Sequence, residues 1–107
     1  MHLLYPHAPW ERTPNGFSYD YAEPVGAVLG TWSDDTSAAY ARLRHLEQLQ
    51  YTDRLLGQAI ERMKQTGLWD DALIVVTADH GAGFTGAEPF RGISAVNAPE
   101  TLWVPLF

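Results

Sequence analysis

The run from Ala38 to Thr66 constrains the fold more than any other part of the sequence, because it contains no proline. Apolar residues recur along it in steps of three and four, which places them on one face of a helix: Ala39, Leu43, Leu46, Leu49, Leu56, Ile60 and Met63. The preceding residues, 34–37, are good N-cap candidates, and Gly67 suits the position after the last turn. The sequence therefore predicts one long helix over 36–66 with this apolar face toward a core.

Three short apolar runs are candidate strands. The run at 72–78 is β-branched and apolar without alternation, which is typical of a strand buried on both faces of a parallel sheet. Similar but shorter runs lie at 2–5 and 101–107, and glycine and proline punctuate 6–35 and 79–100 as loops. Strand, long helix and strand form a βαβ unit, so we predict an α/β fold with parallel strands and the helix packed on the sheet.

Length and charge limit the function classes. A chain of 107 residues suits one small domain, and its net charge of −6 disfavours nucleic acid as a partner. The absence of cysteine excludes disulfides, thiolate metal sites and a cysteine nucleophile within these residues. No apolar run approaches the roughly 18 residues of a membrane span. We therefore expect a single soluble domain over 1–107.

The pair Asp79 and His80 directly follows the predicted strand 72–78, at the strand end where open α/β sheets bind ligands. Oxygen and nitrogen ligands together suit Zn, Mn or Mg. From spacing alone, such a pair is more often a turn with a capping hydrogen bond, and two ligands do not complete a metal site. Gly81 lets the chain leave sharply and a ligand come close. Arg91 and Lys64 are the two candidates for binding an anion. Arg91 is the better one, because it lies in the same glycine-rich loop as Asp79.

His7 stands between Pro6 and Pro9, which keep the backbone out of a helix. A histidine held this way can protonate a leaving group or bind an anionic oxygen. From these residues alone, a structural role for His7, packed in a proline-rich turn, is the better interpretation. His45 has no supporting neighbours, and we place it on the helix surface; Asp53 falls on the apolar face, where it would brace a loop.

Three motifs in order resemble the sulfatase family of the alkaline-phosphatase superfamily: Pro6–Trp10, Tyr51–Gly57 and Thr66–Gly81. Membrane-anchored sulfatase-like proteins of actinobacteria are the most similar branch. The resemblance implies an alkaline-phosphatase-like layered fold in which Asp79 and His80 complete a site for a divalent metal ion (Ca, Mg, Mn or Zn). It also implies that His7 contacts the substrate anion or the leaving oxygen, whereas Arg91 has no assigned counterpart.

The resemblance further implies a function for the parent protein, of which 1–107 would be a C-terminal part. Neither Cys-x-Pro-x-Arg nor Ser-x-Pro-x-Arg occurs, so the nucleophile of the family is missing. We expect a segment of a metal-dependent sulfuric ester hydrolase acting on an anionic ester, inactive by itself, from a membrane-anchored parent with an extracytoplasmic catalytic domain. One alternative is a segment of a phosphoglycerol- or phosphoethanolamine-type transferase or a phosphodiesterase.

The other alternative belongs to a different class: a non-catalytic, degenerate module that self-associates. Both ends of the chain read as interrupted strands, which would leave exposed sheet edges. Such edges predict a homo-oligomer. Metal binding that depends on Asp79 distinguishes the enzyme segment from this module.

Overall fold

The computed structural model describes residues 2–19, 27–28 and 30–107. Its regular elements are strands β1 (Ala27–Val28) and β2 (Thr31–Trp32) and helices α1 (Asp35–Gln65), α2 (Leu68–Asp71) and α3 (Ala98–Leu102). Two compact units are present: the first unit comprises Met1–Ala22 and Arg44–Ile74, and the second comprises Glu23–Leu43 and Val75–Phe107. In the described ranges, no helix combines the length and the apolarity of a membrane span.

Helix α1 begins and ends within one residue of the predicted range 36–66. The residue before it, Asp34, is the N-cap, since its Oδ1 accepts a hydrogen bond from the backbone N–H of Ser37 at 2.7 Å. This hydrogen bond is the main reason why the pKa of Asp34 lies below its ordinary value. At the other end, Gly67 takes a left-handed conformation with φ of 76°. The helix limits therefore follow from local sequence signals.

The buried face of α1 is not the one that the apolar pattern predicts. Four residues on the helix are buried, namely Ala38, Ala41, Arg44 and Gln48, and two of them are polar. Leu43, by contrast, is 61% exposed, and Leu46 and Leu49 are also exposed. The prediction that these leucines face a core is wrong in this structure. The helix instead packs its polar side chains against loop backbone, which needs hydrogen-bonding partners.

Gln48 fastens the loop 6–19 to α1 in the first unit. Its side chain is fully buried, and its Nε2 donates to the carbonyl oxygen of His7 at 2.7 Å. Its Oε1 accepts the backbone N–H groups of Glu11 at 3.1 Å and Arg12 at 3.2 Å. Because the loop lacks regular secondary structure, one amide side chain takes the place of strand partners for three backbone groups.

Arg44 holds the next part of the same loop. Its Nε and one terminal nitrogen donate to the carbonyl oxygen of Trp10 at 3.1 and 2.7 Å. The guanidinium lies 3.4 Å from the centre of the Tyr19 ring, a cation–π contact. Trp10 is buried, and its ring meets the ring of His45 edge-on at 5.6 Å. His45 is therefore half-buried in this cluster, and its predicted place on the helix surface is wrong.

The predicted strands differ from what the structure shows. Residues 2–5 form no strand and lead into a turn at Tyr5. The stretch 72–78 is extended, but it has one antiparallel bridge, from Thr77 to Leu106, instead of parallel partners. Leu73 is 93% exposed, so burial on both faces is also wrong here. A continuous apolar run indicates extended chain, but it does not specify the partner or the direction of pairing.

The range 101–107, predicted as a strand, begins as the end of α3 and becomes extended later. Val76 and Phe107 exchange both of their backbone hydrogen bonds at 3.0 Å, next to the bridge at Leu106. Among the described residues, the regular sheet is the two-residue antiparallel pair β1–β2. The predicted parallel sheet with a helix packed on it is therefore not found in the described residues.

Trp32 forms the core of the second unit. Its side chain is 2% exposed, and its Nε1 donates to the carbonyl oxygen of Gly83 at 2.7 Å. Its ring packs against Phe84 and Phe90, with ring centres 6.0 and 5.7 Å away. Buried Asn97 adds a second anchor, because its Nδ2 donates to two carbonyl oxygens of the loop 79–100. These two side chains fix the path of that loop.

Candidate functional site

The segment Asp79–His80–Gly81 is held in place by α3 of the second unit. Gly81 donates its backbone N–H to the carbonyl oxygen of Thr101 at 2.7 Å. A Cβ at position 81 would collide with the carbonyl oxygen of Glu100, which explains glycine there better than the approach of a ligand does. A Cβ at Gly83 would lie 2.9 Å from Cβ of Asn97. Both glycines let the segment lie closely on α3 and the loop before it.

Asp79 presents an ionised carboxylate to solvent. Its side chain is 91% exposed, and its Oδ1 accepts the backbone N–H of His80 at 3.0 Å. Desolvation acts to raise the pKa of Asp79, but this hydrogen bond outweighs it together with smaller electrostatic contributions from His80 and Arg91, so the pKa lies below its ordinary value. The Asp79 carboxylate is therefore charged at neutral pH and offers an oxygen donor to a cation.

His80 has a defined tautomer. Its Nδ1 lies 2.7 Å from the carbonyl oxygen of Gly81, and a carbonyl can only accept, so Nδ1 carries the proton. Its Nε2 lies 2.8 Å from a terminal nitrogen of Arg91, which can only donate. This arrangement places the proton on Nδ1 and leaves the Nε2 lone pair to accept from Arg91. A backbone carbonyl that orients the second ring nitrogen is typical of metal-ligating histidines.

The two donors fit part of a divalent metal site. Oδ2 of Asp79 and Nε2 of His80 lie 3.9 Å apart, and two ligands of one ion lie about 3.0–3.5 Å apart at usual bond lengths. Because the Asp79 carboxylate is exposed, a rotation of this side chain can reduce the distance. Within the part of the chain that the structure describes, no group of three or more His, Asp or Glu residues could hold an ion. The pair thus fits two positions of a site that needs further ligands.

The predicted site residues fall into the two units. Asp79, His80 and Arg91 come together in the second unit, as their shared loop predicts. His7 belongs to the first unit; it is exposed, its Nδ1 contacts the carbonyl oxygen of Ala8, and its own carbonyl is held by Gln48. Its role toward a substrate stays a prediction.

The residues that position the segment 79–81 were not predicted from the sequence. Asn97 and the backbone of residues 100–101 determine the path of the loop, and no motif marks them. Glu100 accepts the backbone N–H of Phe84 with its side chain at 2.8 Å, which ties the same loop to α3. The one available signal was the recurrence of glycine at positions 81 and 83, which indicates close backbone approach.

The whole chain matches one known protein family. The model of the family described as Sulfatase matches residues 1–107, the whole chain. The chain belongs to the sulfatase family. No solved structure matches it. The resemblance seen in the sequence is therefore confirmed at the level of the family, while the actinobacterial branch stays a prediction.

Membership in the sulfatase family carries general consequences. Sulfatases are hydrolases with an alkaline-phosphatase-like α/β fold, and the family generally uses a divalent metal ion. In this sulfatase chain, the regular secondary structure of the described residues is mostly helical, with a single short strand pair. The family assignment therefore rests on the sequence match, and the local geometry at residues 79–91 is what connects it to chemistry.

Proposed function

We propose that this chain is a segment of a metal-dependent sulfuric ester hydrolase and supplies Asp79 and His80 to its metal site. The observation that carries the proposal is the pair of adjacent donors: an ionised, exposed carboxylate and an imidazole whose Nε2 holds a lone pair. The tautomer is set by the Gly81 carbonyl, which leaves Nε2 as the ring nitrogen that can bind a cation.

Each residue has a distinct task in this proposal. A divalent metal ion supplies Lewis acidity toward the ester oxygens and lowers the pKa of a nucleophile. Asp79 contributes charge and His80 contributes a neutral nitrogen to its binding. Arg91 offers a planar guanidinium that suits a sulfate group of the ester, since two of its N–H groups can pair with two oxygens. His7 donates a proton to the leaving oxygen.

The anionic ester is the proposed substrate, and the acidic surface of the chain disfavours nucleic acid as a competitor. The remaining metal ligands and the nucleophile come from residues outside this chain. A segment with only two donors therefore binds a metal ion weakly, and it binds the ion at Asp79 and His80.

A titration with MnCl₂ tests the metal assignment. The chain carries labelled histidines, and paramagnetic broadening is followed for the ring signals of each histidine. We expect the His80 signals to broaden first, and the Asp79→Ala variant to need about tenfold more Mn²⁺ for the same effect. The matched control is Asp70→Ala, which removes an equal charge from exposed helix α2 and should leave the His80 response unchanged.

Two results would contradict the assignment. One is broadening of His80 that is equal in the Asp79→Ala variant and in the unmodified chain. The other is broadening that is confined to other histidines such as His2 or His7. Either result would favour the non-catalytic alternative for this segment.

A further inference from the structure

We propose that Arg91 and a divalent cation compete for the same lone pair of His80 Nε2, so that Arg91 must leave the imidazole before a metal ion can bind. The inference rests on the proposed metal role of Asp79 and His80 and adds a function for Arg91 in controlling access to that site.

The geometry of the His80 ring requires this competition. Nδ1 uses its proton in the bond to the Gly81 carbonyl at 2.7 Å, so the ring has one free lone pair, on Nε2. Arg91 directs an N–H into that lone pair at 2.8 Å. One lone pair cannot accept a proton donor and coordinate a metal ion at the same time. The two states of the site are therefore mutually exclusive.

Charge strengthens the exclusion. A divalent ion at Nε2 would meet the positive guanidinium of Arg91 at close range. Asp79 stabilises either cation, because its Oδ2 lies 3.9 Å from His80 Nε2 and its carboxylate is exposed. Arg91 is exposed as well, so its side chain can turn into solvent without breaking a packed core.

Release of Arg91 links metal binding to recognition of the ester. While it is bound to His80, the guanidinium uses one of its donors on the imidazole. In the metal-bound state, the donor that now binds His80 could instead bind an oxyanion of the ester. In the metal-free state, one donor of Arg91 is used on His80, and in the metal-bound state that donor can turn to the ester.

The test is a Mn²⁺ titration of the Arg91→Met variant, followed through broadening of the His80 ring signals. Loss of the competing donor should raise the apparent Mn²⁺ affinity by about threefold to tenfold. The control Arg62→Met removes an equal charge from the last turn of α1 and should leave the affinity unchanged. The higher Mn²⁺ affinity of the Arg91→Met variant should persist near 1 M NaCl, where the Debye length is about 3 Å and repulsion between the two cations is screened.

A metal-free measurement examines the same contact independently. Ring ¹⁵N shifts of the unmodified chain should show a protonated Nδ1 and an unprotonated, hydrogen-bonded Nε2, and the Arg91→Met variant should shift the Nε2 resonance. An unchanged Nε2 shift, or an unchanged Mn²⁺ affinity in this variant, overturns the competition while the Asp79→Ala result still supports the metal site. If Mn²⁺ never reaches His80 in any variant, both the competition and the metal role are wrong.

Discussion

The loop fastened to α1 in the first unit and the segment 79–91 in the second unit use polar side chains in opposite ways. Gln48 and Arg44 are buried, and their donors and acceptors bind the backbone of the loop 6–19. Asp79 and Arg91 are exposed, and both bind His80: Asp79 accepts its backbone N–H, and Arg91 donates to its Nε2. Polar groups that are buried and satisfied serve the fold, whereas those left accessible remain available for a ligand.

Gln48 is expected to show the largest effect in this comparison. Gln48→Leu removes the side chain that binds three part-buried backbone groups, of which the Glu11 N–H keeps a second acceptor, the carbonyl oxygen of Pro9 at 3.1 Å. We expect a loss of about 2–3 kcal/mol in the free energy of unfolding. Urea denaturation measures the loss. Gln50→Leu, on the exposed side of α1, is the control and should change stability by less than about 0.5 kcal/mol. Equal losses in the two variants would show that the loop does not depend on Gln48.

Gly81 and Gly57 form a pair with opposite expected signs. Gly81→Ala forces a Cβ toward the carbonyl oxygen of Glu100 and should cost about 1–3 kcal/mol as the segment shifts. Gly57→Ala lies in α1 with open space around it and should stabilise the chain by about 0.5–1 kcal/mol. Thermal unfolding measures both variants. A stabilising Gly81→Ala would mean that α3 does not pack on the segment.

His45 predicts a pH dependence in the first unit. Burial beside Trp10 lowers the pKa of His45, although a contact with the backbone of Pro6 acts against this shift. The neutral ring therefore stabilises the fold above the unfolded pKa of about 6.5, and this contribution is lost as the pH falls through the lower folded value. Unfolding midpoints measured from pH 7.5 to 5 should decline, and the decline should be smaller in His45→Gln. The same slope in both proteins would assign the decline to other groups.

Asp34 predicts a smaller effect at lower pH. Because its hydrogen bond to Ser37 lowers the pKa of Asp34, the charged N-cap stabilises α1 above the unfolded pKa, about 3.9, and loses this effect as the pH falls through the folded value. Asp34→Ala should lower the melting temperature by a few degrees at pH 7, and Asp34→Asn by less, since its side-chain oxygen still accepts the N–H. A melting temperature that is unchanged in Asp34→Ala would contradict this assignment of the cap.

Features that depend on residues close together in the sequence could be predicted, whereas features that depend on residues far apart in the sequence could not. The limits of α1 follow from local signals, namely an N-cap at Asp34, the absence of proline and a glycine at position 67, and the structure confirms them. The three motifs likewise identified the family, which the match over the whole chain confirms. The predicted strands failed because a strand requires a partner, and pairing at Thr77 involves Leu106 far along the chain.

The sequence by itself determined the helix, the family and the presence of a carboxylate and an imidazole at positions 79 and 80. Tertiary structure decided that Gln48 and Arg44 face the loop while Leu43 faces solvent, because loop backbone must find hydrogen-bonding partners. It also decided that Arg91 lies on Nε2 of His80, a contact across the loop that no spacing rule contains. Local sequence signals determine where helix α1 begins and ends. Contacts between residues distant in the sequence determine which face of the helix is buried and that the Nε2 lone pair of His80 is occupied.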